Sequence, residues 1–173
     1  MDKFVPDIYQ KSIYTINYKK LKKHGIKCLL IDLDNTVVPL QVKKPMKKQK
    51  ELFAALKEQG FKVIIFSNNL KKRALPFKEG LEIDCCCPAF KPFKFKYLKV
   101  MREFKYQESE IACIGDLLLT DIYGGNRLGF KTILVNSISV KDHKLNFFNR
   151  FIEKIILKKL HKRGLLKIGK YYE

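Results

Sequence analysis

Tryptophan is absent from the 173 residues, histidine occurs three times, and acid is scarce: 17 aspartates and glutamates face 36 lysines and arginines, a net charge of +19. The shortage of acid has the strongest consequence, because each aspartate in an unusual setting then carries weight. The five cysteines (Cys28, Cys85, Cys86, Cys87 and Cys113) form no CxxC or His/Cys pattern, which excludes the usual zinc sites. An odd count with three adjacent members suits reduced thiols in a cytoplasm rather than a disulfide framework. No apolar run approaches the roughly 20 residues that span a bilayer, and no signal peptide is legible, so a cytoplasmic protein is expected.

The length suits one domain with a sizeable core. The excess of positive charge favours polyanions: nucleic acid, anionic membrane surfaces or phosphorylated substrates. A lysine-rich chain with solvated lysine faces explains the same charge without a partner.

Apolar runs at 27–31, 61–66, 110–115 and 131–135, with a weaker one at 81–86, read as buried strands. Between them lie helical patterns. One follows Pro45 and ends at Gly60, with Met46, Leu52, Phe53 and Leu56 on one face. A second is interrupted by Pro76, and a third covers 94–105, with Phe95, Leu98, Met101 and Phe104 at spacings of three. A fourth runs through Asp121 and ends near Gly129. Before the first strand, Asp7 is placed to cap a short helix from Ile8, and a basic helix end precedes Gly25. Residues 144–163 form a basic amphipathic helix. Strands alternating with helices predict an α/β, three-layer Rossmann-like fold with a parallel central sheet of about five strands. The expected organisation is an N-terminal segment (1–26) packed on the core, the core itself (27–140), and a basic C-terminal helix and tail (141–173).

In such sheets ligands bind at the carboxyl ends of the strands, and the notable polar residues fall there. Asp32 and Asp34 follow the first run, Ser67 the second and Asp116 the fourth, while Lys91 lies in the loop after the third. Past the strand end the chain can turn and bring Asp32 and Asp34 to one point. Two carboxylates so close are costly unless a cation sits between them or one keeps a proton. A carboxylate is a competent nucleophile toward phosphorus. Asp32 and Asp116 can supply oxygen ligands to Mg²⁺, Lys91 and Ser67 can hold phosphoryl oxygens, and Asp34 can move protons.

The segment Asp32–Leu33–Asp34–Asn35–Thr36 resembles the DxDxT motif of the haloacid dehalogenase-like (HAD) phosphatases. Ser67, Lys91 and the pair Asp116/Asp121 resemble their second, third and fourth motifs, in the family's order. The spellings DLDNT, FSNN, AFKP and GDLLLTDIYGGNRLG are similar to those of the subgroup containing the YqeG proteins and the mitochondrial phosphatidylglycerophosphate phosphatases. The resemblance covers about residues 5–160. It implies Asp32 as nucleophile and metal ligand, and Asp34 as general acid/base that also binds metal through its backbone carbonyl. It implies Asp116 as a Mg²⁺ ligand, Thr36, Ser67 and Asn68 around the phosphoryl group, Lys91 offsetting charge, and Asp121 in support.

Many relatives insert a cap over this site. Here Thr36 and Ser67 stand 31 apart, and Ser67 and Lys91 24 apart. A helix and a strand already use each gap, so no large cap fits and the site is expected to lie open. The expected function is Mg²⁺-dependent hydrolysis of a phosphomonoester through an aspartyl-phosphate, with phosphatidylglycerophosphate as the substrate the resemblance implies. The expected partners are an anionic phospholipid and, through residues 144–163, the inner face of a membrane; a packed helix is the plainer reading of that segment. A soluble or nucleic-acid phosphate, and a non-catalytic RNA- or ribosome-binding role, are the competing functions; oligomerisation stays open.

Overall fold

Four apolar residues in a row, Cys28–Ile31 (β2), are buried on both faces and form the middle of the sheet. The computed structural model describes residues 1–139 and 147–173. Around β2 stand Lys62–Phe66 (β3) and Asp84–Cys86 (β4) on one side, and Ile111–Gly115 (β5) and Lys131–Val135 (β6) on the other. All pairings are parallel, with Leu30 opposite Ile64 on one flank and Cys113 on the other. The sixth strand, Ile8–Gln10 (β1), pairs with β6 at the edge. This corrects the expected helix from Ile8. Asp7 caps no helix; its carboxylate accepts from the Thr132 N–H at 2.7 Å and so ties β1 to β6.

Alternation along β2 assigns the two faces. Leu29 and Ile31 pack with Lys47–Glu58 (α2) and Lys71–Leu81 (α3) through Phe53, Leu56, Ala74 and Phe77. Cys28 and Leu30 face Lys94–Phe104 (α4) through Tyr97 and Val100. The short helix Tyr18–Lys23 (α1) ends before Gly25, whose φ of +87° favours glycine. The expected apolar face of α4 is revised. Tyr97 and Val100 are buried, with Met101 and Phe104 beside them, whereas Phe95 and Leu98 point outward. A strict three-residue spacing drifts around a helix of 3.6 residues per turn, so the two ends of that run cannot share one buried stripe. Met46 likewise lies outside the α2 face and is exposed.

After β5 the chain forms a π-helical turn, Leu118–Ile122, then a short helix, Tyr123–Asn126 (α5). Gly124 and Gly125 let it sit close. A Cβ on Gly124 would lie 2.4 Å from the Tyr97 hydroxyl, and one on Gly125 2.7 Å from Thr132. The C-terminal helix Phe147–Lys162 (α6) packs on the domain: Ile156 and Leu160 are buried with Tyr9, Leu118 and Leu134. Residues 144–146 of the helix expected at 144–163 lie outside the described residues. The end of the chain returns to the sheet edge, where Tyr172 and Tyr9 exchange two backbone hydrogen bonds of 2.9 Å. No described helix is long and apolar enough to cross a membrane.

The strand order β1-β6-β5-β2-β3-β4 reverses direction at β2. The crevice beyond the carboxyl ends of β2 and β5 is therefore the place where such a sheet opens to a ligand.

Candidate active site

Asp32 is the first residue past β2, and its N–H still continues the ladder to Ile114 at 2.9 Å. The chain then turns. Asn35 takes a φ of +65°, a conformation asparagine tolerates better than most residues. Its N–H bonds the Val38 carbonyl at 2.8 Å and closes the loop. The loops after β3 and β4 are fastened together by Asn68. Its side-chain oxygen accepts from the Lys91 N–H at 2.5 Å, and its amide donates to the Lys91 carbonyl at 2.8 Å.

Lys91 is buried, and its ammonium donates to Asp32 Oδ1 and to Asp121 Oδ1, both at 2.6 Å. Asp121 reaches this point from the π-helical turn, where its other oxygen accepts from the Leu117 N–H at 3.1 Å. Glycine is required at 115 for this approach, because a Cβ there would stand 2.1 Å from the Asp121 carboxyl carbon. Asp116 lies beside them and accepts from the Thr36 hydroxyl at 3.1 Å. Asp32, Thr36, Lys91, Asp116 and Asp121 thus converge at the switch point of the sheet.

The electrostatics follow from this packing. Burial alone lowers the Lys91 pKa, but Asp121 and Asp32 outweigh it and hold the ammonium charged. Burial raises Asp32 from 3.8 to about 8; Lys91 opposes the shift, and Asp121 and Asp116 add to it. Asp116 is raised to about 7 by loss of water and by Asp121, against hydrogen bonds from Ser137 and Thr36. Three carboxylates share one ammonium, so the site has an excess of buried negative charge that a further cation relieves.

That observation is the test of a metal here, and the donor set fits. Asp32 and Asp116 offer hard oxygen ligands, and the backbone carbonyl of Asp34 is a third candidate. No group of three or more His, Cys, Asp or Glu side chains forms a metal cage among the described residues. A cation that uses one or two carboxylates and keeps its waters suits this arrangement, as Mg²⁺ does.

Asp34 is arranged differently from the expected shared point. It and Asp32 have separate cationic partners. Arg73 of α3 donates to Asp34 Oδ1 from Nε at 2.9 Å and from a terminal nitrogen at 2.7 Å, while Asn69 donates to Oδ2 at 3.1 Å. Arg73 is fixed in turn by a hydrogen bond to the Val42 carbonyl. Pairing Asp34 with Arg73 and Asp32 with Lys91 lessens the repulsion that sequence spacing implied. Ser67 is buried at the end of β3, and its hydroxyl accepts from the Asn69 N–H at 3.2 Å. The Asn68 side chain, expected near phosphate, is instead engaged with the Lys91 backbone.

Two contributors escaped the sequence reading. Arg73 is hidden in a lysine run, although it is one of only five arginines in the chain. Glu153 of α6 is buried and accepts from the Leu118 N–H at 3.1 Å and the Leu119 N–H at 2.5 Å. It thereby caps the turn that carries Asp121. Its signal was that no other acid occurs in residues 144–163.

Comparison with known proteins agrees with this geometry. A HAD-hydrolase-like family model matches residues 89–158. The chain is 38% identical over 161 residues to the Bacillus subtilis protein named "Probable phosphatase YqeG", covering 93% of this chain and 94% of that one. It belongs to the HAD phosphatases, in the YqeG and phosphatidylglycerophosphate phosphatase subgroup. A chloroplast and mitochondrial phosphatidylglycerophosphate phosphatase of Arabidopsis thaliana is 27% identical across 93% of this chain, which spans about half (49%) of that protein. Among solved structures, the cobalt-bound deoxy-D-mannose-octulosonate 8-phosphate phosphatase of Haemophilus influenzae shares the fold. It has a TM-score of 0.52 and 15% identity, over 86% of this chain and 96% of that one. HAD phosphatases generally use a divalent metal ion. Among the described residues no cap is inserted at the usual points: residues between Thr36 and Ser67 form a loop, α2 and β3, and those between Ser67 and Lys91 form α3 and β4.

Proposed function

We propose that this phosphatase attacks phosphorus with Asp32 and that its substrate is an anionic phospholipid phosphomonoester, phosphatidylglycerophosphate. The observation that carries the chemistry is the Lys91 bridge between Asp32 and Asp121 beside Asp116. Asp32, Asp116 and the Asp34 carbonyl would hold Mg²⁺, which would neutralise phosphoryl charge when bound. Lys91 aligns the Asp32 carboxylate, favours the ionised form that attacks against the effect of burial, and pairs with a phosphoryl oxygen. The P–O bond to the leaving group breaks as the Asp32–phosphorus bond forms, and Asp34, which must enter the step protonated, gives its proton to the departing alkoxide. Asp34, now ionised, takes a proton from the water that releases phosphate from Asp32. Thr36 orients Asp116, Ser67 orders the loop that bears Asn69, and Asp121 holds Lys91.

What supports the lipid is threefold: the name of the similar Arabidopsis protein, the open site, and the chain's excess of positive charge. A substrate panel tests the proposal, with wild type and Asp32→Asn assayed on phosphatidylglycerophosphate in mixed micelles and on soluble phosphomonoesters, with Mg²⁺ present. The lipid is expected to be cleaved best, and by wild type alone. Cleavage of a soluble phosphomonoester with the lipid untouched overturns the substrate; equal rates in the variant overturn the nucleophile.

A further inference from the structure

The segments that build the site also carry large apolar side chains that stay exposed. Phe90, Phe93 and Phe95 are 48%, 63% and 50% exposed, and Leu70, at the start of α3, is 70% exposed. The Phe90 and Phe95 rings lie 5.6 Å apart, and the Phe93 N–H bonds the Phe90 carbonyl at 2.9 Å, so the segment is a closed turn, a knuckle that pairs two rings and carries the third exposed. Phe90 has a φ of +54°, an unfavourable conformation for a bulky side chain, and it adjoins Lys91 in sequence. Leu70 leaves the neighbouring strand end, and Asn68 fastens its loop to Lys91.

The segments that follow the three neighbouring strands carry charge of one sign. Residues 35–50, 67–78 and 85–102 follow β2, β3 and β4 and contain no aspartate or glutamate. They present Lys43, Lys44, Lys71, Lys72, Lys94 and Lys99 to solvent. Exposed aromatics set among lysines are the composition of a surface that inserts shallowly among lipid headgroups and is drawn there by anionic charge. A patch of this kind on a monomer marks an interaction site.

We infer that the Phe90–Phe93–Phe95 knuckle and the lysines beside it dock the mouth of the active site onto an anionic lipid surface. This inference takes its purpose from the lipid-phosphate reading above, and it relocates the membrane contact from α6 to the rim. The stripe of α6 that carries Ile156 and Leu160 already faces the core, whereas Phe90, Phe93 and Phe95 stay exposed among the described residues. Docking there brings a headgroup phosphate to Lys91 without lifting the lipid out of the bilayer.

The test uses the full chain and vesicles of phosphatidylcholine with about one third phosphatidylglycerol, free of substrate. Wild type should float with them and be released by salt, and pure phosphatidylcholine should not retain it. Phe93→Ser/Phe95→Ser should bind about tenfold more weakly while keeping wild-type turnover of a soluble phosphomonoester. Because the chain lacks tryptophan, Phe93→Trp supplies a single reporter, whose emission should shift to the blue on adding anionic vesicles.

Unchanged binding in the double variant, or an unmoved emission, overturns the inference. So does transfer of the loss to Phe151→Ser/Ile155→Ser, which assigns docking to α6. RNA binding without vesicle binding also overturns it, as does a dimer that the double variant dissociates. Vesicle binding through the knuckle with no cleavage of phosphatidylglycerophosphate upholds the docking and refutes the substrate. Cleavage of the lipid with knuckle-independent binding does the reverse.

Discussion

Asp32 and Phe90 both stand beyond strand ends on the same side of the sheet, yet Asp32 is 9% exposed and Phe90 48%. The floor of the site places charge where water is excluded, and the rim places aromatic rings where water is abundant. Each arrangement is unfavourable by itself. Buried carboxylates require compensation, which Lys91 supplies in part and a cation completes. Exposed aromatics bring no folding stability and persist here on a backbone held in position by the Asn68 bonds to Lys91. The contrast separates chemistry from access: the floor explains bond breaking, and the rim bears on which phosphates arrive.

The largest effect is expected at the floor. Lys91→Ala leaves Asp32 and Asp121 buried without their shared cation and should cost about 3–5 kcal/mol of stability as well as activity. Lys91→Met, which restores apolar volume without charge, should be equally inactive. Urea unfolding beside an assay on a soluble phosphomonoester checks both, and an active Lys91→Met would dissolve the distinction between floor and rim.

Next in size is Arg73, which borders both regions. Arg73→Ala frees the Asp34 carboxylate and should lower kcat about 10²-fold on an alkyl phosphate, with KM little changed. An aryl phosphate, whose leaving group needs no proton, should keep its initial burst of phenol release while its steady turnover falls. Loss of that burst as well would make Arg73 a structural residue.

Glu153 extends the floor to α6. Glu153→Ala leaves the Leu118 and Leu119 N–H groups without their acceptor and should destabilise by about 1–3 kcal/mol. Thermal unfolding measures it, and a change near zero would detach α6 from the site.

A further effect is one of pH. A carboxyl whose folded-state pKa is raised holds its proton more tightly folded than unfolded. With Asp32 raised from 3.8 to about 8 and Asp116 from 3.8 to about 7, the metal-free protein should lose stability as pH climbs from about 4 to about 8. A bound divalent cation favours the ionised forms, so Mg²⁺ should raise Tm more at about pH 8 than at about pH 5. A Mg²⁺ effect independent of pH would mean that these carboxyls are not its ligands.

The parallel sheet and the strand-end location of Asp32, Ser67 and Asp116 were legible because continuous apolar runs have no other stable use in a chain of this length. The edge strand β1 was not, since Ile8–Gln10 is too short for a period and its pairing with β6 lies far away in sequence. The aspartate motif was read for its residues but not for its partners. Arg73 and Glu153 act across 39 and 35 positions, respectively, and only folding brings them to Asp34 and Leu118. The rim was obscured for another reason: Phe95 and Leu98 were counted into a buried stripe that the helical repeat does not sustain.

The central claim is attack by Asp32 with proton transfer by Asp34, and trapping the covalent adduct tests it most directly. Asp34→Asn removes the base for the second step, and p-nitrophenyl phosphate makes the acid dispensable in the first. Rapid quenching and peptide mapping should then find a burst of nitrophenol and a phosphoryl group on Asp32. Steady turnover with no adduct, or a phosphoryl group on any other residue, would contradict that chemistry.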